Sequence, residues 1–301
     1  MIWILILVIA HLFYAAFFIL DKYILTKPMP NAVVYAFWVG ALGIFVLVLI
    51  PIGTLIPNNA FVMPNKSEVF WSIVAGIAQI WGMIVFYNAL NKSEVTRLVP
   101  LVGGLSSVFI LLINSITINE FLSGNQLLAF ALLVLGSLVI SIDKNNLFTR
   151  KAIWAAILSS FLFAVFWVIT KYLFLGTNFV SGLVWVRVGV AIVALMLLLS
   201  KKNRQLISTK THEARPRTAG FFILSRILNV AGSLFLYGAV FLGSIVLVNA
   251  LQGLQYAFIL ILALLLFKKI PDLKEQFGRR VLLQKIIAIV LICSGLGLLV
   301  I

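Results

Sequence analysis

Phe13-Tyr-Ala-Ala-Phe-Phe-Ile-Leu-Asp-Lys22-Tyr23 aligns without a gap on Leu162-Phe-Ala-Val-Phe-Trp-Val-Ile-Thr-Lys171-Tyr172, an offset of 149. A second block repeats at an offset of 150, which places Tyr87 on Tyr237, Ala89 on Ala239, Leu101 on Leu251 and Gly103 on Gly253. Apolar stretches match by chance, so identity alone decides little. The weight lies in two separated blocks sharing nearly one offset, and in that offset being half of a 301-residue chain. Duplication at that period makes each half one structural unit.

Outside these blocks the composition sets the solvent. The apolar set supplies 63% of residues and only 10% are charged, with a mean hydropathy of +1.18, whereas a soluble domain carries about 25% charged residues. A water-soluble enzyme is excluded. Ten apolar runs can be marked, at 2–20, 33–52, 69–90, 98–118, 126–142, 152–174, 179–199, 219–240, 245–267 and 281–301. Runs of this length without strict alternation mean helices, because in lipid a backbone must satisfy its own hydrogen bonds. Trp3, Trp71 and Trp154 open their runs as interfacial anchors do. The fold expected is all-α: ten transmembrane helices as two repeats, residues 1–143 and 144–301. Five spans per repeat is an odd number, so the second half enters the membrane inverted relative to the first.

The formal charge of +15 would suggest nucleic acid in a soluble protein. Here the lysines and arginines sit between apolar runs, so topology and anionic lipid explain them and no nucleic-acid partner is expected. Connectors 1, 3, 5, 7 and 9 hold 19 of the 23, while the opposite side holds Lys66 and Lys171, and Arg187 and Arg226 lie within runs. By the positive-inside rule both termini of this multi-pass cell-membrane protein face away from the cytoplasm. The first twenty residues lack a basic n-region and a cleavage site and read as a retained span. The single cysteine, Cys293, lies in an apolar run and has no intrachain partner.

Asn119-Glu120-Phe121-Leu122, followed by Gln126 and Gly136, resembles the segment joining spans 4 and 5 in the EamA-like transporters of the drug/metabolite transporter superfamily, where Gly-Glu-x-Leu, a Gln and glycines recur. Pro100 early in span 4 and the two-times-five plan are similar to that family as well. The resemblance implies a secondary transporter. Two departures stand out: Lys269-Ile270 replaces the second repeat's expected Glu, and members usually have cytoplasmic termini.

Candidate site residues follow from polarity within the runs. Pro100, Gly103, Gly104 and Ser107 share a face of span 4, and Ala250, Gly253 and Ala257 share the equivalent face of span 9, so each is expected at a helix crossing. Asn249, Gln252 and Tyr256 form a stripe on span 9 with Gln255 beside it, suited either to recognising a polar solute or to interhelical amide bonding. Span 8 offers Arg226, Asn229, Ser233 and Tyr237, and its repeat mate, span 3, offers Gln79, Met83 and Tyr87. Arg187 and Arg226 each lie about 10 Å from a membrane face, and no carboxylate is expected at their depth. A carboxylate or phosphate on the cargo then becomes a partner for their bidentate forks, with snorkelling to headgroups the other reading. The substrate site is therefore placed among Gln79, Arg187, Arg226, Asn229, Asn249, Gln252 and Tyr256. His11 is a proton site or a helix-packing residue. Lys22 and Lys171 are read as snorkelling anchors, and Trp81, Phe163, Trp167 and Trp185 as cavity walls or lipid contacts.

No His-Glu-x-x-His, Walker glycine loop, intramembrane carboxylate pair or Cys/His spacing is present, so no enzyme, cofactor or metal is expected. The expected partners are the bilayer and a small metabolite. Besides such a carrier, a lipid-phosphate flippase on the same fold and a non-transporting membrane interaction protein remain open.

Overall fold

The computed structural model describes residues 2–25, 31–91, 93, 95–118, 121–141, 149–212, 216–266 and 279–300. Among them every regular element is helical. The helices are α1 (Ile2–Leu25), α2 (Ala32–Ala41), α3 (Leu49–Gly53), α4 (Lys66–Leu90), α5 (Val95–Thr117), α6 (Gly124–Ser141), α7 (Arg150–Gly176), α8 (Phe179–Met196), α9 (Lys201–His212), α10 (Pro216–Leu242), α11 (Ile245–Ala250), α12 (Gln252–Leu266) and α13 (Arg279–Val300). A seven-residue 3-10 helix, Leu42–Val48, joins α2 to α3.

Polar residues at the borders of the apolar runs fix where helices start, because the first turn of a helix leaves N–H groups unpaired. Asn31 accepts from Val33 N at 2.9 Å to open α2. Asn65 and Glu68 form a capping box at α4, and Thr149, Asn178 and Ser244 cap α7, α8 and α11. The first run does not stop at Leu20: α1 continues through Asp21 to Leu25.

Eight described helices are long and apolar enough to cross a membrane, and two more apolar helices, Ile245–Ile259 and Ile286–Leu299, are shorter. The ninth run, expected as one continuous helix, is interrupted at Leu251. There Leu251 N donates to Leu247 O at 3.0 Å while Leu254 N donates to Leu251 O at 3.0 Å. The ladder tightens to a three-residue step between α11 and α12.

Packing is dominated by α1 along α10, α4 along α7 and along α8, and α6 along α13. The first two pairings exchange with one another under the half-chain offset. Small residues make the closest approaches: a Cβ added at Gly76 of α4 would lie 2.4 Å from the Gly189 carbonyl oxygen of α8. Gly103 faces Tyr256, Gly104 faces Leu138, and Gly253 faces Ile292 and Ser137, so both small faces meet neighbouring helices as their composition suggests. Within the basic seventh connector, α9 lays Ile207 against Val34 and Phe37 and leaves Lys201, Lys202 and Arg204 exposed.

Candidate functional site

A cavity of about 150 Å³ lies among the central helices, and it gathers residues from both halves of the sequence. His11 and Tyr14 of α1, Gln79 of α4 and Gly103 of α5 face Arg187 of α8, Asn229 of α10 and Gln252, Gln255 and Tyr256 of α12. Five of the seven residues expected at a substrate site therefore share one wall: Gln79, Arg187, Asn229, Gln252 and Tyr256. Gln79 and Asn229, paired by the repeat alignment, both face the cavity. Phe163 and Trp167 line it too. Trp81 instead is 53% exposed, and Trp185 donates its indole N–H to Val62 O at 3.3 Å and packs on Phe61, away from the cavity.

The amide stripe is bonded to itself across the break in the ninth segment. Asn249 donates to Ile245 O at 3.0 Å, Gln252 donates to Asn249 Oδ1 at 3.0 Å, and Tyr256 donates to Gln252 Oε1 at 3.4 Å. Asn249 is thereby 2% exposed and stays behind the cavity wall. Its role is to tie α11 to α12 and hold Gln252 in place. Tyr256 swings over Gly103, where any Cβ would fall 1.6 Å from the phenol oxygen. A side chain at that position would have to displace the ring and the Gln252 amide.

Arg226 does not face the cavity, and the expectation that no carboxylate would reach its depth is overturned. Asp21 is fully buried, and Arg226 Nη2 donates to its Oδ1 at 2.7 Å. The hydroxyls of Tyr35 and Ser225 donate to the same oxygen, and Tyr87 Oη lies 3.5 Å from the other. Arg226 Nη2 also donates to Tyr35 Oη at 2.7 Å and Ser225 Oγ at 2.9 Å. Phe17, Tyr35 and Phe222 surround the guanidinium carbon at 4.8, 5.0 and 5.2 Å from their ring centroids, presenting their negative faces to it. α1, α2, α4 and α10 thus meet at one neutralised charge pair. The sequence reading ended the first helix at Leu20, five residues too soon, which put Asp21 outside the membrane.

Lys171 is not a snorkelling anchor. It is 9% exposed and donates to Val240 O and Gly243 O at 2.9 Å, where α10 ends and its carbonyls lack partners within the helix. The side chain of its repeat mate Lys22 falls outside the described residues, as do the Asn119-Glu120 and Lys269-Ile270 positions. His11 is fully buried. Its two ring nitrogens make no aligned hydrogen bond, although the Gln255 side chain is near enough to interact. Gln79 Oε1 is likewise buried without a partner. Tyr14 and Ser233 share a hydrogen bond of 3.0 Å between α1 and α10, and the Tyr237 hydroxyl lies beside Arg187.

These apolar helices describe a multi-pass membrane protein. The model of the EamA-like transporter family matches residues 1–142. That segment is similar to the family, which lies within the drug/metabolite transporter superfamily, in agreement with the resemblance carried by Pro100, Gln126 and Gly136. No curated protein matches in sequence. One solved structure, a crystal structure known only as that of a protein, is similar at a TM-score of 0.64 and 15% identity, with 98% of this chain and 94% of that one covered. The likeness is one of fold.

Proposed function

We propose that the chain is a secondary transporter that carries a small polar or anionic metabolite, such as an amino acid or organic acid, by alternating access. The moving parts are two inverted five-helix halves, residues 1–143 and 144–301, giving ten spans with both termini outside the cytoplasm. The observation that carries this reading is the cavity itself, a pocket with polar side chains set into an apolar bundle, whose wall draws on helices of both halves of the sequence. Gln79 from α4 and Asn229 from α10 sit on it as repeat mates. A buried polar atom without a hydrogen-bond partner, Gln79 Oε1, is costly in hydrocarbon unless a solute or water meets it. The exchange of the α1–α10 and α4–α7 pairings under the offset supports the inverted plan.

Gln79, Arg187, Asn229, Gln252 and Tyr256 form the substrate site, and Asn249 supports it through Gln252. Arg226, already paired with Asp21, is assigned to holding the helices and not to cargo. A flippase that passes a lipid phosphate along both arginines loses one of them to Asp21, so the carrier is favoured. Flux into proteoliposomes tests the reading: Arg187→Ala abolishes uptake in a folded protein, while Gln252→Ala mainly weakens binding. Wild-type flux in Arg187→Ala overturns the site. A folded protein that moves no solute points to an interaction role instead. Reporter fusions at Ile301 decide the orientation.

A further inference from the structure

Arg187 is the one arginine or lysine on the cavity wall, and neither Asp nor Glu lies on that wall among the described residues. The other intramembrane guanidinium, Arg226, is already neutralised 2.7 Å from Asp21. Arg187 has no carboxylate partner among the described residues; its polar neighbours are hydroxyls, Tyr237 beside it and Tyr14 further along the wall. A lone cation with one hydroxyl beside it in a low-dielectric site favours a single negative charge, because a second would be left without a counter-charge. Much of the remaining wall is apolar and aromatic, with Phe18, Phe86, Phe163, Phe166 and Trp167 facing the same space. At about 150 Å³ the cavity is of the size that holds a benzene ring.

Resting on the transporter reading above, the geometry points to a specific cargo class: monocarboxylates that carry one aromatic or branched apolar group, with the carboxylate on Arg187 and the apolar body against the Phe163 and Trp167 side. Dianions such as phosphate esters and organic cations are excluded by the same charge count. The amides of Gln79 and Asn229 then meet any further polar substituent of the cargo.

The test uses the full chain in lipid nanodiscs and four probes: benzoate, benzamide, benzylammonium and acetate. Binding is read by calorimetry and by tryptophan fluorescence, with Trp167→Phe identifying the signal from the wall. Benzoate is expected to bind at least ~10-fold more tightly than benzamide, since the difference is one charge-assisted hydrogen-bonded contact. Benzylammonium is expected not to bind, and acetate to bind weakly for want of the ring. Arg187→Gln should remove most of the benzoate preference over benzamide, and Arg187→Lys should restore part of it. Benzamide or benzylammonium binding as tightly as benzoate, no binding by any probe, or an unchanged preference in folded Arg187→Gln each overturns the cargo class. Should that variant not fold, the four-probe ranking on the wild type decides alone. Proteoliposome flux separates the two readings: benzoate bound but never translocated supports the class and overturns transport, whereas transport of benzamide without preference for benzoate does the reverse.

Discussion

Near Arg226, in the first half of α10, a guanidinium meets a fully buried carboxylate from α1, whereas at the Val240 end an ammonium from α7 meets backbone carbonyl oxygens. The two contacts come from helices that the half-chain alignment pairs, α1 and α7, at adjacent aligned positions, since Asp21 aligns with Thr170 and Lys22 with Lys171. Their physics differs. In the Asp21–Arg226 pair each charge is tolerable only because the other is present, so the contact is all-or-none. At Lys171 the acceptors are partial charges that every helix C-terminus carries, and loss of the ammonium exposes dipoles, not a net charge. One end of α10 is therefore a switch-like tie and the other a graded anchor.

The largest effect should come from breaking the first. Arg226→Met leaves Asp21 as a buried unpaired carboxylate and should cost about 3–5 kcal/mol of stability, read by denaturant unfolding in detergent. Adding Asp21→Asn should recover most of that loss. A double variant as unstable as the single would show that packing, not charge, holds this end. Next comes Lys171→Met, at about 1.5–3 kcal/mol for the charge-assisted bonds it removes, with Lys171→Arg retaining part. If Lys171→Met equals Arg226→Met, the distinction between the ends fails.

Two smaller changes sharpen the comparison by leaving both ends intact. Gly76→Ala drives a Cβ to 2.4 Å from the Gly189 carbonyl oxygen, where all three nearest atoms are backbone, and should cost about 1–3 kcal/mol through overpacking. Its effect should add to that of Lys171→Met, the two sites lying on different helix pairs. Tyr14→Phe removes the 3.0 Å bond to Ser233 midway along α1 and α10 and should cost about 0.5–1.5 kcal/mol. A loss as large as that of Arg226→Met would mean that the middle of the interface, and not its ends, fixes α10.

The class of fold was legible because hydropathy is a property of composition and of run length, and both are written locally. Caps such as Asn65-x-x-Glu68 were equally readable, since a capping box spans four residues. The break at Leu251 was not, because Asn249, Gln252 and Gly253 around it read equally well as a polar stripe and a small face of one continuous helix. The cavity residues were found by helical spacing of amides and cations, a signal that says which face is polar but not which polar group already has a partner. Asp21 shows the limit most plainly: it lies 205 residues from Arg226. One signal was available, however. In a chain with only eight acidic residues, a carboxylate at the end of an apolar run that aligns with Thr170 in a membrane helix asks for a cation.

The 3-10 stretch Leu42–Val48 sits where the backbone passes Arg187, close enough that a Cβ added at Gly43 would lie 3.5 Å from its Nε. Seven residues of 3-10 helix extend about 14 Å, against about 10.5 Å for the same residues as α-helix. Rewinding that stretch would draw α3 toward α2 by roughly 3.5 Å and rotate it by roughly 140°, from the difference between three and 3.6 residues per turn. Each geometry keeps its own ladder of backbone hydrogen bonds, so neither endpoint of that stroke presents a bare amide to lipid. A segment of this kind can change length inside a bilayer as a screw does in its thread, by turning.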